Sequence, residues 1–223
     1  MLLAIDTATS KIGIALFDGI SVLHEAVWQS PYRHTTELAP AIDACLVRAE
    51  CSIEDLKAVG LAIGPGSYTG LRIGVAVAKG MALARSLDLI AVSTFEILAA
   101  AFTPRPDLQL VAVLEAGRGR FSVGWYQAAK DEWHASSPPE LHTPETLSKA
   151  IRTPTLVCGE LDDSLRKILG RKHKNVILAS PSANLRRPAL LAELAWARWQ
   201  AGETDDPETL APVYLQTTQN IPG

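Results

Sequence analysis

The chain opens with three short, mostly apolar runs that are separated by polar turn residues. Apolar runs of this length bounded by turn residues are typical of β-strands, so they predict a meander. Two later segments carry apolar residues at helical spacing, with another apolar run between them, and the first half is therefore predicted as βββαβα. The predicted strands cover residues 2–5, 12–17, 22–28 and 57–63, and the predicted helices cover residues 34–49 and 71–87.

The second half repeats this order of elements. A shift of about 109 positions places Asp6 on Glu115, so each half has a carboxylate at the end of its first strand and a small-residue turn after it. The predicted strands lie near 108–114, 120–126, 132–135 and 155–158, and the predicted helices follow Thr143-Pro144 and cover 161–169. We therefore expect an α/β fold made of a duplicated βββαβα unit.

The boundary between the copies is predicted between residues 103 and 104, because Pro104 and Pro106 stop the helix that follows Ser93-Thr94. The two expected subdomains are residues 1–103 and 104–223. The second would carry an extra C-terminal helix over 186–201 and a polar tail from Gly202 that we expect to be loosely held.

Composition narrows the class of protein. The 223 residues are 48% hydrophobic, which is enough for one large or two small domains. No apolar run is long enough to span a bilayer, and Asp6 comes too early for a signal peptide, so we expect a cytoplasmic protein. The three cysteines form no Cys-x-x-Cys pair, which argues against a disulfide framework or zinc ribbon. A net charge of −3 argues against independent nucleic-acid binding.

The most informative segment is the glycine-rich stretch from Gly64 to Gly74. It lacks the Gly-Lys-Ser/Thr ending of a Walker loop, and its third glycine lies one residue too late for a dinucleotide fingerprint. Pro65 and Thr69 replace the glycines of a nucleophile elbow. Spacing therefore favours a structural turn over phosphate binding. Gly70 and Gly74 recur four residues apart, and Ala78 and Ala82 continue this small-residue stripe along the second helix.

The first hairpin contributes candidate chemistry of its own. Two facing copies of such a unit resemble the actin, sugar kinase and Hsp70 superfamily, the actin-like ATPase or ribonuclease H-like fold, which binds nucleotide between its halves. Asp6-Thr7-Ala8-Thr9-Ser10 is similar to the first phosphate turn of that superfamily, with the acid near the metal. The resemblance makes Asp6, Thr7 and Ser10 candidate nucleotide-binding residues. A tight polar hairpin, in which such residues are common, is the alternative.

Joined to the repeat, the Gly64 to Gly74 motif resembles the hallmark of the bacterial TsaB (YeaZ) family. The resemblance covers most of the chain. It implies a non-catalytic subunit that supports a TsaD-like catalytic subunit in making N6-threonylcarbamoyladenosine at position 37 of tRNAs that read codons starting with A. A TsaE-like ATPase would be a further partner, and tRNA would be reached only through the complex.

The family pairs with TsaD through its first two helices, which are residues 34–49 and 70–87 here. The candidate partner-binding residues are His34, Leu38, Ile42, Leu46, Gly70, Arg72, Gly74 and Ala78. The same residues could instead pack on their own sheet, and the sequence leaves both interpretations open. If the stripe faces a partner, Gly74→Leu should weaken pairing and leave the monomer folded. Self-pairing through the same helices is a further expectation.

A second functional class remains as an alternative: a small-molecule kinase or ATPase of the same superfamily, with Asp6 as its metal-facing acid. The second hairpin is too basic and too poor in hydroxyls to be a matched phosphate turn. No catalytic constellation is found. No metal site is predicted either, because His34 is followed at i+4 by Leu38 and the other histidines lie in separate segments. We expect no cofactor, and leave open weak binding of ADP or ATP.

Overall fold

A computed structural model describes residues 1–172 and 174–214. The first half forms a five-stranded mixed sheet in the order β3-β2-β1-β4-β5. Its strands are β1 (Leu2–Asp6), β2 (Lys11–Phe17), β3 (Val22–Gln29), β4 (Ala58–Gly64) and β5 (Asp88–Ser93). The helices of this half are α1 (His34–Arg48), α2 (Tyr68–Arg85) and α3 (Thr94–Ala99).

The second half forms a sheet in the order β11-β10-β6-β7-β8, and β9 also pairs with β7. Its strands are β6 (Gln109–Glu115), β7 (Phe121–Ala129), β8 (Glu132–Ala135), β9 (Glu140–His142), β10 (Thr155–Gly159) and β11 (Val176–Leu178). The remaining helices are α4 (Pro144–Ala150), α5 (Asp163–Gly170) and α6 (Pro188–Gln200).

The predicted duplication is confirmed by strand pairing. In each half the first strand is antiparallel to the second and parallel to the strand that follows the first helix of that half, α1 or α4. Each half then adds a further parallel strand, β5 or β11, which was not predicted. The result is an α/β protein of the actin-like, ribonuclease H-like type with two sheet subdomains.

Alternation along β1 distributes its side chains between two cores. Leu3 and Ile5 pack with α1 and α2 on one face, whereas Leu2 and Ala4 pack with α6 on the other. We predicted that helix α6 belongs to the second subdomain, but it packs on the first sheet. Its buried residues, among them Leu191, close the open face of the first sheet, so the chain returns to the first half after β11.

Two further segments connect the halves. Helix α3 follows the first sheet, but Phe95 and Leu98 pack into a core with residues of the second sheet. The segment after α6 runs back along the first half, where Asp205 accepts a hydrogen bond from the Ala91 N–H (2.7 Å) and the Val213 N–H donates to Ile63 O (2.7 Å). This part of the tail is thus held specifically, contrary to our expectation, and the tail beyond residue 214 lies outside the described residues. None of the described helices has the length and apolarity needed to cross a bilayer.

Candidate functional site

A cleft of about 810 Å³ lies where the strand ends of the two halves face each other. The first hairpin (Thr9, Ser10), the glycine loop with the start of α2 (66–70) and the second hairpin (115–117) line it. This is the position in which the resemblance placed a nucleotide. The chemistry of the cleft therefore depends on what its acidic and hydroxyl side chains already bind.

Asp6 stands at the end of β1 and is only 2% exposed. Arg186 binds its carboxylate through two nitrogens, Nε to Oδ2 and Nη2 to Oδ1 (3.1 Å), and the Ala8 N–H donates to Oδ1 (2.9 Å). Burial alone disfavours the charge on Arg186, but Asp6 more than offsets it, and the net change in the pKa of Arg186 is upward. The acid that the superfamily resemblance places near a metal thus accepts three hydrogen bonds from the protein itself, and it does not line the cleft.

Thr7 and Ser10 have separate surroundings. Thr7 is buried beneath α2, where its carbonyl approaches Gly70 and its hydroxyl approaches Gly74. Ser10 is exposed, lines the cleft and accepts a hydrogen bond from Gln29 Nε2 (2.8 Å). Of the three candidate nucleotide-binding residues, only Ser10 offers its side chain to the cleft, and a nucleotide role for any of them remains a prediction.

The glycine loop is explained by close contacts within the subunit. A side chain at Gly66 would overlap Ala8 O, and one at Gly70 would overlap Thr7 O. The Ser67 hydroxyl accepts from the Gly70 N–H (3.2 Å) and so caps α2. The glycines thus let the first hairpin and the start of α2 touch, which agrees with the structural turn that spacing favoured.

Most of the predicted partner-binding residues face inward. On α1, Leu38, Ile42 and Leu46 belong to the first core. His34 is also buried, and its Nε2 donates a hydrogen bond to Thr9 O (2.9 Å). On α2, Gly70, Gly74 and Ala78 are buried against the subunit's own hairpin and sheet. These seven residues therefore pack within the subunit, which was the alternative that the sequence left open. A role for any of them towards a partner stays a prediction.

Arg72 is the exception, since it is exposed. Its guanidinium stacks 4.2 Å from the centroid of the Tyr68 ring, and Nε donates to the Tyr214 hydroxyl (3.1 Å). Tyr68 and Tyr214 also pack together with their ring centroids 4.9 Å apart. This cluster lies beside the cleft at the start of α2, and its role towards a partner stays a prediction.

The outward face of α2 was missed by the sequence analysis. Arg72, Ala76, Gly80 and Leu83 are exposed at helical spacing, and Leu83 is 77% exposed. A side chain at Gly80 would meet nothing within 4 Å. Ala76 and Gly80, four residues apart, form a second small-residue pair parallel to the buried one. The signal was present in the sequence, but the longer Gly70 to Ala82 stripe concealed it.

Among residues 1–172 and 174–214, no group of three or more His, Cys, Asp or Glu side chains is placed to hold a metal ion. The buried thiols have raised pKa values, about 11 for Cys45 and about 12 for Cys158, because burial disfavours the thiolate.

Comparison with known proteins gives the family. The family model described as "TsaD: tRNA N6-adenosine threonylcarbamoyltransferase" matches residues 29–158. The TsaB protein of Bacillus subtilis, whose name describes it as a tRNA threonylcarbamoyladenosine biosynthesis protein, is 31% identical over 98% of this chain and 95% of its own length. The chain belongs to the TsaB family.

Two further members agree with this assignment. Escherichia coli TsaB is 33% identical over 156 residues, which are 68% of this chain and 66% of that protein. The solved structure of YeaZ from Pseudomonas aeruginosa superposes with a TM-score of 0.79 at 25% identity, over 96% of this chain and 99% of that one. The resemblance to the TsaB (YeaZ) family, which the glycine motif first suggested, is thereby confirmed over almost the whole chain.

Proposed function

We propose that this chain is the accessory TsaB-type subunit in the biosynthesis of threonylcarbamoyladenosine in tRNA. It acts by pairing with a TsaD-like catalytic subunit through the outward faces of α1 and α2. The pathway follows from the relatives, which match over nearly the full length and carry that pathway in their names. The pairing surface rests on one feature of α2.

That feature is Gly80. Glycine in an exposed helix interior costs about 1 kcal/mol relative to alanine, and the subunit itself offers no reason for it, because the space around Gly80 is open. Glycine there allows another backbone to approach α2 closely, beside Ala76 and the exposed Leu83. Helix α1 lies next to α2 and presents Val47, which is 67% exposed. Such apolar and small side chains suit a packed helix interface better than a solvated surface.

The accessory role is favoured over catalysis by the state of Asp6. A kinase or ATPase of this fold would turn that acid towards a metal-bound phosphate, whereas here Arg186 and the Ala8 N–H bind it. Nothing in the described residues favours the kinase alternative. We propose further that a TsaE-like ATPase joins the complex, that tRNA is reached only through it, and that any binding of ADP or ATP in the cleft is weak. The protein would act in the cytoplasm.

The test uses two glycines with open surroundings. Gly80→Leu should weaken co-elution with the organism's TsaD-like subunit by about tenfold in Kd, a cost of about 1.4 kcal/mol. It should lower threonylcarbamoyl transfer to tRNA in parallel. Gly170→Leu, at the end of α5 in equally open space, is the matched control and should change neither.

Each result has a definite meaning. Loss of pairing in the folded Gly80→Leu variant alone supports the proposed face. Unchanged pairing in both variants would reject that face, and transfer at full rate without this protein would reject the accessory role itself. Self-pairing through the same face predicts that Gly80→Leu also reduces any homodimer.

A further inference from the structure

A second open surface lies on the opposite side of the first sheet from α1 and α2. It is a groove of about 550 Å³ between the end of α3, the turn joining β7 to β8, and one side of α6, and we call it the α3–α6 groove. Helix α6 packs on the sheet face that α1 and α2 leave open, so a protein bound at α1 and α2 would not cover this groove. Binding at this groove would therefore be independent of the proposed pairing.

The floor of the groove is apolar or internally neutralised. Ala197 and Ala201 of α6 are exposed along it, and their small side chains leave a low shelf. Trp133 forms a wall, and its Nε1–H already donates to Phe102 O (2.7 Å), so the ring contributes an apolar surface. The charges of the floor cancel, because Arg198 Nη2 binds both oxygens of Glu96 at 2.5 and 2.7 Å.

The rim of the groove, unlike its floor, is negatively charged. Asp131, Glu132 and Glu203 line the groove and are exposed. Of these three carboxylates, only Glu132 forms an ion pair among the described residues, with His134 at 3.9 Å. An exposed pair of that length contributes little to stability. Lys130 lies in the same turn but does not line the groove. The groove therefore combines an apolar floor with three carboxylates that lack a strong counter-charge.

We propose that the α3–α6 groove is a docking surface for a basic amphipathic segment of another protein. Apolar side chains of that segment would cover the alanine shelf and Trp133, and flanking Lys or Arg side chains would meet the rim. Nucleic acid does not fit, since its phosphates would face the carboxylates. A small polar ligand would lack an anchor, because the buried polar side chains without partners among the described residues, Ser30, Thr94 and Ser122, lie outside the groove.

The probe is a synthetic amphipathic helix of Leu and Lys, with a Leu and Glu peptide as the negative control. Affinity for the full chain is measured by fluorescence anisotropy at two salt concentrations. Asp131→Lys with Glu203→Lys should weaken binding by about tenfold or more. Glu193→Lys with Glu208→Lys changes the net charge equally, at exposed carboxylates that do not line the groove, and should leave the affinity within about twofold.

A third variant separates contact from charge. Ala197→Glu adds negative charge but fills the shelf, so binding should weaken although electrostatic attraction rises. Hydrogen exchange should show the Lys peptide protecting α6 and the turn joining β7 to β8. If both charge-reversed double variants lose the same affinity for the peptide, attraction to the protein's overall negative charge explains the binding, and the proposal is overturned. The absence of binding, protection confined to α1 and α2, or tighter binding by Ala197→Glu would also overturn it.

Discussion

The two halves share one topology, but the carboxylates that end their first strands have different surroundings. Asp6 at the end of β1 is buried and accepts hydrogen bonds from Arg186 and the Ala8 N–H. Glu115 at the end of β6 is exposed, and it is the Glu115 backbone N–H that donates, to Glu160 Oε2 (3.0 Å). The two halves thus share a backbone arrangement, but of these two acids only Asp6 stands in a buried ion pair.

The segment that brings Arg186 to Asp6 also ties the halves together. Asn184 Oδ1 accepts from the Gly159 N–H at the end of β10 (2.9 Å), two residues before Arg186 reaches the end of β1. Arg187 then binds Glu25 of β3, with Nη2 2.5 Å from Oε2. Residues 184–187 therefore link the end of β10 in the second sheet to β1 and β3 in the first, and the loss of Arg186 should affect far more than one side chain.

The largest expected effect comes from removing that arginine. Arg186→Met leaves the buried Asp6 carboxylate without its counter-charge, and breaking a buried pair in this way costs about 3–5 kcal/mol. The free energy of unfolding from urea denaturation measures it. Glu115→Gln, at the equivalent strand end in the other half, should stay within about 0.5 kcal/mol of the wild type, as exposed substitutions usually do.

A double variant checks the cause. Asp6→Asn combined with Arg186→Met removes both charges, so it should recover part of the stability that Arg186→Met loses. The pair does not hold the first half together if Arg186→Met costs as little free energy of unfolding as Glu115→Gln. The same conclusion follows if the double variant recovers no stability.

The helix glycines of the two halves give the next contrast. Gly74→Leu forces a side chain against the Thr7 hydroxyl, and overpacking of this kind costs about 1–3 kcal/mol. This reverses our expectation that the variant would stay folded and lose only its partner. Gly170→Leu, in the second half, meets open space and should lose no stability. Thermal unfolding of the two variants decides, and equal melting temperatures would refute the close packing of α2.

Much of the fold could be predicted because its signals are local. Short runs of strand-forming residues bounded by turn signals located β1 to β4, β6 to β8 and β10, and the repeat followed from comparing the halves. The short strand β5 was missed, since six residues between two helical segments have no periodicity of their own. The position of α6 could not be predicted either, because contacts between Leu191 and the first strands join residues nearly the whole chain apart.

The site shows the same limit. The sequence identified Asp6 as a strand-end acid, but its partner lies 180 residues away, and no spacing rule connects them. On the helices assigned to the partner, seven of the eight named residues pack within the subunit. An apolar or small-residue stripe shows that a helix has a packing face without saying what it packs against, and two such stripes on α2 needed the structure to separate them.

The smallest expected effect compares carboxylates at the starts of equivalent helices. The Trp28 Nε1–H donates to Glu37 Oε2 (2.8 Å) and lowers the pKa of Glu37. The pKa of Glu145 is lowered by a hydrogen bond from the backbone N–H of Glu145 itself, with a further contribution from Thr143. Both groups therefore add stability above their unfolded pKa of about 4.3 and lose it as pH falls through the lower folded value.

Glu37→Gln should accordingly lower the melting temperature slightly at pH 7, and the difference from wild type should vanish as pH falls below the folded pKa, because both side chains are then uncharged. Glu145→Gln should show the same sign with a smaller amplitude. Its hydrogen bonds stay within the first turn of α4, whereas the bond from Trp28 to Glu37 joins β3 to α1. Melting curves across this pH range test the comparison. A constant offset for Glu37→Gln at every pH would mean that the shape of the side chain, and not its charge, makes the contribution.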